Sequence, residues 1–221
     1  MKDGTLERLG PNLVGGIGKI QVGCGPKNLM NDWWNVDIRP FPGVDQVFDV
    51  SQPWGLESCV EYVYGEHFIE HLTIEQALSF LRHAQNALCV GGRIRLTTPS
   101  LEWVLKTHFS FNSTEMDGAH HDTWKINRAF HGWGHRFLYS RAMLEWMFPK
   151  CGFREISFYN YEESDTLALR GLERHGGWSR QEGYPSVWIV EGTKGDFSEI
   201  NWKIASAEAS ESFMKYVKSE H

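Results

Sequence analysis

Short apolar runs broken by glycine, proline and aspartate dominate the first third of the chain. Segments at about Lys19–Val22, Asn35–Ile38, Gln46–Phe48 and Val60–Tyr64 each have the length and branched or aromatic content of a strand. The pattern then changes period. Ile74, Ala77, Leu78, Leu81, Ala84 and Leu88 recur at helical spacing, and Thr73 with Gln76 three residues on predicts a capping box at the start. Gly91-Gly92 reads as the stop of that helix. Arg93–Thr97 is the next strand, closed by Pro99. A second helix is predicted from a Ser140 cap through Met143, Leu144, Met147 and Phe148 to Gly152, followed by late strands near Glu155–Tyr161 and Ser186–Glu191. The tail after Asp196 has weak helical character.

This alternation predicts an α/β fold, a mostly parallel sheet covered by helices, with ligands at the carboxyl ends of the strands. About ten residues separate Gly25 from Asn35, too few for a full crossover helix, so a single helical turn or an extended link is expected there. Two segments, about 100–139 and 162–185, are poor in regular signals and rich in histidine, tryptophan and charge. Segments of that length inside a compact domain point to substrate-facing material.

Composition narrows the class. The 221 residues suit one α/β domain spanning 1–221, and 41% hydrophobic with 14% aromatic residues argues against disorder. A net charge of −6 gives no reason to expect sequence-independent binding to nucleic acid or anionic membrane. Cys24, Cys59, Cys89 and Cys151 are widely spread and form no C-x-x-C pair, so reduced thiols are expected. With no apolar stretch long enough to span a bilayer and no signal-peptide core, the expected location is the cytoplasm.

Four signals carry the chemistry: Val22-Gly-Cys-Gly25, Asn35-Val-Asp37, Phe48-Asp49-Val50 and Tyr64-Gly-Glu-His-Phe-Ile-Glu-His-Leu72. Together with Gly91-Gly-Arg-Ile-Arg-Leu-Thr-Thr-Pro99, the series resembles the class I S-adenosylmethionine-dependent methyltransferases. It is most similar to the small methyltransferase type 11-like proteins, with their N-V-D strand end and E-H-L segment. The resemblance covers residues 19–99 and extends more loosely to Trp133-Gly-His-Arg136, Lys150-Cys-Gly-Phe153 and 169–175. It implies a Rossmann-like three-layer sandwich with an antiparallel last strand. S-adenosyl-L-methionine would be the methyl donor and S-adenosyl-L-homocysteine the product.

The cofactor's chemistry gives each residue type a role under that resemblance. Gly23, Cys24 and Gly25 would let main chain pass beside the methionine carboxylate and ribose. Asp37, next to Ile38, would accept both ribose hydroxyls. Asp49 would receive the adenine amino group, with Val50 against the ring and Asp45 a rival acceptor. Gly65, Glu66 and His67 would border the methionine portion. Pro26 and Lys27 stand where the fuller Gly-x-Gly-x-Gly pattern continues.

An oxygen acceptor must lose a proton, and histidine is the usual base near neutral pH. His67, His121 and His135 are the leading candidates, with His120, His131 and Tyr139 behind them. Trp33, Trp34, Trp124, Trp133 and Trp178 could line the acceptor pocket, and Arg170, Glu173, Arg174 and His175 could form a polar wall. The acceptor expected is a small molecule or sugar, methylated on oxygen. Two other readings stay open: a noncatalytic cofactor-binding protein of the same fold, and a zinc hydrolase. The second arises because His67-Phe-Ile-Glu70-His71 matches H-x-x-E-H. That motif needs both histidines on one helical face, and the Thr73 cap starts the helix after them, so no metal is assigned. Glu102, His120 and His121 are the third ligands it would have to draw on.

Overall fold

The computed structural model describes residues 18–110, 116–175, 178–181 and 183–218; the expected leading loop, 1–17, lies outside them. Among the described residues nine strands form in chain order: β1 (Lys19–Val22), β2 (Trp34–Asp37), β3 (Gln46–Val47), β4 (Val60–Glu66), β5 (Leu88–Pro99), β6 (Phe153–Tyr159), β7 (Arg180–Gln181), β8 (Tyr184–Pro185) and β9 (Val187–Lys194). Seven of them make one sheet in the order β3-β2-β1-β4-β5-β9-β6, and β7 with β8 makes a small hairpin. Pairings from β3 across to β5 are parallel, while β9 runs antiparallel between β5 and β6. The mostly parallel sheet with an antiparallel last strand is therefore present. The chain reverses sides after β3 and returns to β4 next to β1, which opens a crevice at the carboxyl ends of β1 and β4.

The helices are α1 (Ile74–Ala87), α2 (Leu101–His108), α3 (Met116–His131), α4 (Arg141–Lys150), α5 (Glu199–Ala209) and a last turn, α6 (Lys215–Lys218). The capping box at Thr73 forms as expected, with Gln76 N–H donating to the Thr73 hydroxyl and Thr73 N–H to the Gln76 side chain. Ser140 likewise caps α4 by accepting from Met143 N–H. Two expectations change. The chain leaves α1 at Ala87 and enters β5 at Leu88, so Gly91-Gly92 lies inside a strand rather than capping a helix. The segment 100–139, expected to be irregular, carries α2 and α3, which pack together through Val104 and Ala129 with Leu138.

The two faces of the sheet are built differently. On one, Ile20, Val22, Val36, Val63, Ile94, Leu96 and Val190 meet α1, α4 and α5 in the main core. On the other, alternation brings up Gln21, Asn35, Tyr64, Glu66, Arg95, Thr97 and Glu191, all buried. None of α1 to α6 contributes to the apolar cluster on this face. A 3₁₀ turn (Leu167–Leu169) and irregular chain do so instead, with Met30 and Trp33 from the β1–β2 connection and Leu169 and Leu172 from the segment after β6 packing on Tyr64.

Irregular chain has backbone groups that need partners, and the sheet's polar residues supply them. Asn35 is a staple for the β1–β2 connection. Its Oδ1 accepts from Met30 N–H (2.9 Å), and its Nδ2 donates to the carbonyls of Met30 (3.0 Å) and Trp33 (2.9 Å). Those bonds are why the connection holds its course in extended turns, with no crossover helix. On the far side Arg95, wholly buried, donates to Glu173 (2.7 Å) and Glu191 (2.5 Å), and so fastens the 160s segment to the sheet. Burial raises the pKa of Glu173, against the pull of the Arg95 charge.

Because a buried ion pair loses most when only one partner is removed, Arg95→Met should cost about 3–5 kcal/mol of unfolding free energy. Urea denaturation followed by circular dichroism reads this. A loss within about 0.5 kcal/mol, as for an ordinary surface substitution, would refute the role given to the pair.

Candidate active site

The turns leaving β1, β2, β3 and β4 enclose a cavity of about 490 Å³. Of the sequence-predicted residues, Gly23, Asp37, Ile38, Asp49, Val50 and His67 line it. Phe48, Phe68, His71, Leu72, Gln76, Trp133, Arg136 and the exposed Arg39 complete the wall.

Asp37 ends β2 with its carboxylate nearly buried. One oxygen accepts from Gly25 N–H (3.0 Å), the other from Arg39 N–H (2.9 Å) and, at longer range, from the Arg39 guanidinium Nε–H (3.4 Å). A carboxylate oxygen has two acceptor directions, so the first keeps one for a ligand and the second gains one only when the exposed Arg39 side chain swings aside. The protein thereby sets the rotamer of Asp37 before anything binds. Asp49 closes an Asx turn, with one oxygen accepting from both the N–H (3.0 Å) and the hydroxyl (2.7 Å) of Ser51. Asp45, its rival, is committed elsewhere: it accepts from the backbone and side-chain N–H groups of Asn35.

The glycines of the turn have different surroundings. Both Gly23 and Gly25 have positive φ, 61° and 58°. A Cβ on Gly23 would sit 2.4 Å from the Phe68 ring, so the close approach there is to protein; at Gly25 the surroundings are open. Gly65 is squeezed between Val22, Leu96 and Phe68 in the core. Cys24 is buried, and burial together with the Asp37 charge pushes its thiol up to about 12, which keeps it neutral.

Glu66 turns away from this cavity. Its Oε1 accepts from Arg174 N–H (2.7 Å) and His175 N–H (3.0 Å), and it lines a neighbouring cavity of about 220 Å³ with Thr97, Tyr161, Glu173, His175 and Trp178. Glu173 and His175, two of the four residues expected in a polar wall, line this cavity.

His67 faces both cavities. Its backbone is left-handed, at φ 47°, and its N–H is held by Thr97 through the carbonyl (3.1 Å) and the hydroxyl (3.2 Å). Its Nδ1 meets the buried Glu70 carboxylate at 3.2 Å. A carboxylate accepts there, so Nδ1 carries a proton and Nε2 keeps the lone pair. Burial works against the protonated ring, but the Glu70 hydrogen bond and the Glu70 and Glu66 charges outweigh it and raise the pKa above 6.5.

The other histidines divide. His135 donates its Nδ1 proton to the Ala129 carbonyl (2.8 Å) and lines a third cavity, about 280 Å³, with Trp103, His108, Lys125, Arg128 and Trp133. Trp133 is common to that cavity and the first. His121 is exposed on α3, stacked with His120 and Trp124, and lines none of the three cavities. Tyr139 is fully buried in the core, its hydroxyl pKa raised well above the ordinary value by that burial. The H-x-x-E-H residues occupy a left-handed residue and a 3₁₀ turn (Ile69–His71), not a helical face.

Phe68, His71, Gln76 and Arg136 escaped the sequence reading as cavity residues. Arg136 sat in a segment already singled out, but nothing in its spacing tied it to the β4 turn.

No family model and no curated protein matches the chain. Solved structures do. A SAM-dependent methyltransferase from Archaeoglobus fulgidus is similar over 83% of this chain and 89% of its own, with 16% identity and a TM-score of 0.50. An S-adenosylmethionine-dependent methyltransferase from Mesorhizobium loti gives 82%, 92%, 13% and 0.51. Phosphoethanolamine N-methyltransferase 2 from Haemonchus contortus, solved with S-adenosyl-L-methionine, gives 82% of this chain, 49% of its own, 12% and 0.51. The chain spans about half the length of some of the chains it matches, 51% for the CurJ carbon methyltransferase. These likenesses establish the fold: it is that of the class I S-adenosylmethionine-dependent methyltransferases.

The different roles of the two turn glycines can be separated. An alanine at either must adopt a left-handed backbone, costing about 1–2 kcal/mol. At position 23 it must also displace Phe68, which adds about 1–3 kcal/mol. Gly23→Ala should therefore lower the urea midpoint clearly more than Gly25→Ala, and equal losses would contradict the Phe68 contact.

Proposed function

We propose that the chain is a single-domain S-adenosylmethionine-dependent methyltransferase acting on a small-molecule or sugar hydroxyl. The observation that carries this reading is the cavity at the carboxyl ends of β1 to β4, with Gly23, Asp37, Ile38, Asp49 and Val50 in its wall. Its volume, about 490 Å³, falls in the ordinary range for small-ligand sites. The fold adds a prior in the same direction, since its solved neighbours include methyltransferases.

In this reading Asp37 takes the ribose hydroxyls, one on its free acceptor direction and one in place of the Arg39 guanidinium, and Asp49 with Val50 receives the adenine. The methyl-bearing sulfonium then points toward the His67 edge. The acceptor enters from the side of α2 and α3, where the cavity of Trp103, Lys125, Arg128 and Trp133 adjoins the first through Trp133. Segment 100–139 is thus the acceptor-side insert. The acceptor oxygen attacks the methyl carbon in line, the carbon–sulfur bond breaks with its electron pair remaining on sulfur, and the hydroxyl proton passes to a base. His67 is the residue we assign to that work, because its Nε2 lone pair is the one left free by Glu70. Holding donor and acceptor in line supplies most of the acceleration. The four unpaired cysteines fit a reducing compartment, and we place the protein in the cytoplasm on that ground.

Asp37→Ala tests the cofactor assignment directly. Two hydrogen bonds to a charged group, at about 1.5–3 kcal/mol each, are lost. Titration calorimetry with S-adenosylhomocysteine should show binding weakened about a hundredfold or more, in a variant whose circular dichroism spectrum matches the parent. Unchanged affinity in a folded variant would count decisively against the reading.

A further inference from the structure

Glu70, His71 and His135 bring one ligand atom each to a common point, all within 4.8 Å of one another. We propose that these three residues form a binding site for a divalent transition cation, and that the ion holds the acceptor oxygen during methyl transfer. The site is argued from its own geometry; only its role rests on the methyltransferase reading.

The donor set is two imidazoles and a carboxylate, the combination that suits zinc, manganese, iron or cobalt rather than magnesium or calcium. Ligand atoms at about 2.0–2.2 Å from one ion lie roughly 3–3.5 Å apart, so the cluster needs only small side-chain rotations to close on it. Three protein ligands leave positions open for another oxygen, as catalytic sites require.

The supporting shell is what separates this cluster from three residues that happen to be close. His135 donates its Nδ1 proton to the Ala129 carbonyl, which fixes the tautomer and leaves the Nε2 lone pair for the cluster. Glu70 is fully buried, and its carboxylate accepts from Thr98 (3.2 Å) and contacts His67 (3.2 Å), so its orientation is also set from behind. Among the described residues, neither His71 nor His135 hydrogen-bonds the carboxylate. The Glu70 carbonyl accepts from Arg136 N–H (2.7 Å) and Phe137 N–H (3.2 Å), clamping the two segments that supply the ligands.

The approach of these segments is bought with backbone strain. Trp133 is left-handed at φ 57° and is followed by Gly134 at φ 81°, which delivers His135 to His71 with the rings 5.2 Å apart. Residues other than glycine held in that region cost about 1–3 kcal/mol and collect at functional sites. A Cβ at Gly134 would lie 3.8 Å from His71 Nδ1, so the turn packs directly on that ring.

Position supplies the role. His71 lines the proposed donor cavity, His135 lines the α2–α3 cavity, and the cluster joins the two. A hydroxyl oxygen bound to the ion loses its proton to the His67 base more readily, because the ion stabilises the alkoxide. That oxygen's lone pair then forms the new carbon–oxygen bond as the carbon–sulfur bond breaks onto sulfur. The ion keeps its oxidation state throughout.

The test measures ion binding without needing the acceptor. The full chain is stripped with EDTA, then titrated with Mn²⁺ under electron paramagnetic resonance and with Zn²⁺ in calorimetry. One saturable equivalent per chain is expected. His71→Ala and His135→Ala should each weaken it at least tenfold, while His121→Ala, removing an exposed histidine from α3, should leave it intact. Should His71→Ala unfold, His71→Gln keeps the bulk and should show the same drop. Absence of a saturable equivalent, or equal binding in folded His71 and His135 variants, overturns the site. S-adenosylhomocysteine is titrated in parallel: ion binding without cofactor binding would support the site and remove the methyltransferase reading, and cofactor binding without ion binding would do the reverse.

Discussion

One residue ties together the parts of this molecule that matter for chemistry. Glu70 is wholly buried, yet its main-chain carbonyl accepts two amides from residues 136 and 137 and its carboxylate meets His67 and Thr98. The turn after β4, the end of β5 and the segment between α3 and α4 therefore share a single anchor. A carboxylate placed without water is expensive unless it is fully engaged, and a site that engages it is correspondingly rigid. The geometry of His67, His71 and His135 follows from where that residue sits.

A second constraint comes from the uneven dressing of the sheet. Helices α1, α4 and α5 cover one face with ordinary apolar packing. The opposite face is held by polar side chains that satisfy irregular backbone, Asn35 at one side and the Arg95 ion pairs at the other. Hydrophobic burial can hold a helix in many registers, but three hydrogen bonds from one amide hold a loop in one. Without a helix after β1, the positions of Gly23, Gly25 and Asp37 depend on that staple and on the bond from Gly25 N–H to Asp37.

Much of the architecture was legible along the chain because periodicity and caps are local properties. The four early strands and the Thr73 and Ser140 helix starts needed only neighbouring residues. Gly91-Gly92 misled for the same reason, since a glycine pair after a helical run looks the same whether it caps a helix or sits in a strand. The helices in 100–139 were hidden because α2 and α3 bury little beyond each other and so lack a wide apolar stripe. In the site, Asp37, Asp49 and His67 were found at strand ends. That Glu66 lines the neighbouring cavity could not be read, because the residues it binds, Arg174 and His175, are far off in sequence. The convergence of His135 on Glu70 and His71 was invisible for the same reason: only the folded chain brings position 135 back to position 70.

Both lone pairs of one carbonyl are spent on successive amides at 136 and 137. An insertion or deletion in that stretch would break both bonds together and carry His135 out of place. Side chains along α2 and α3 can therefore be exchanged far more freely than the length of the stretch behind them can be changed. Tolerance of change here lies at the exposed surfaces, because the length of this loop is constrained by two backbone hydrogen bonds to one carbonyl.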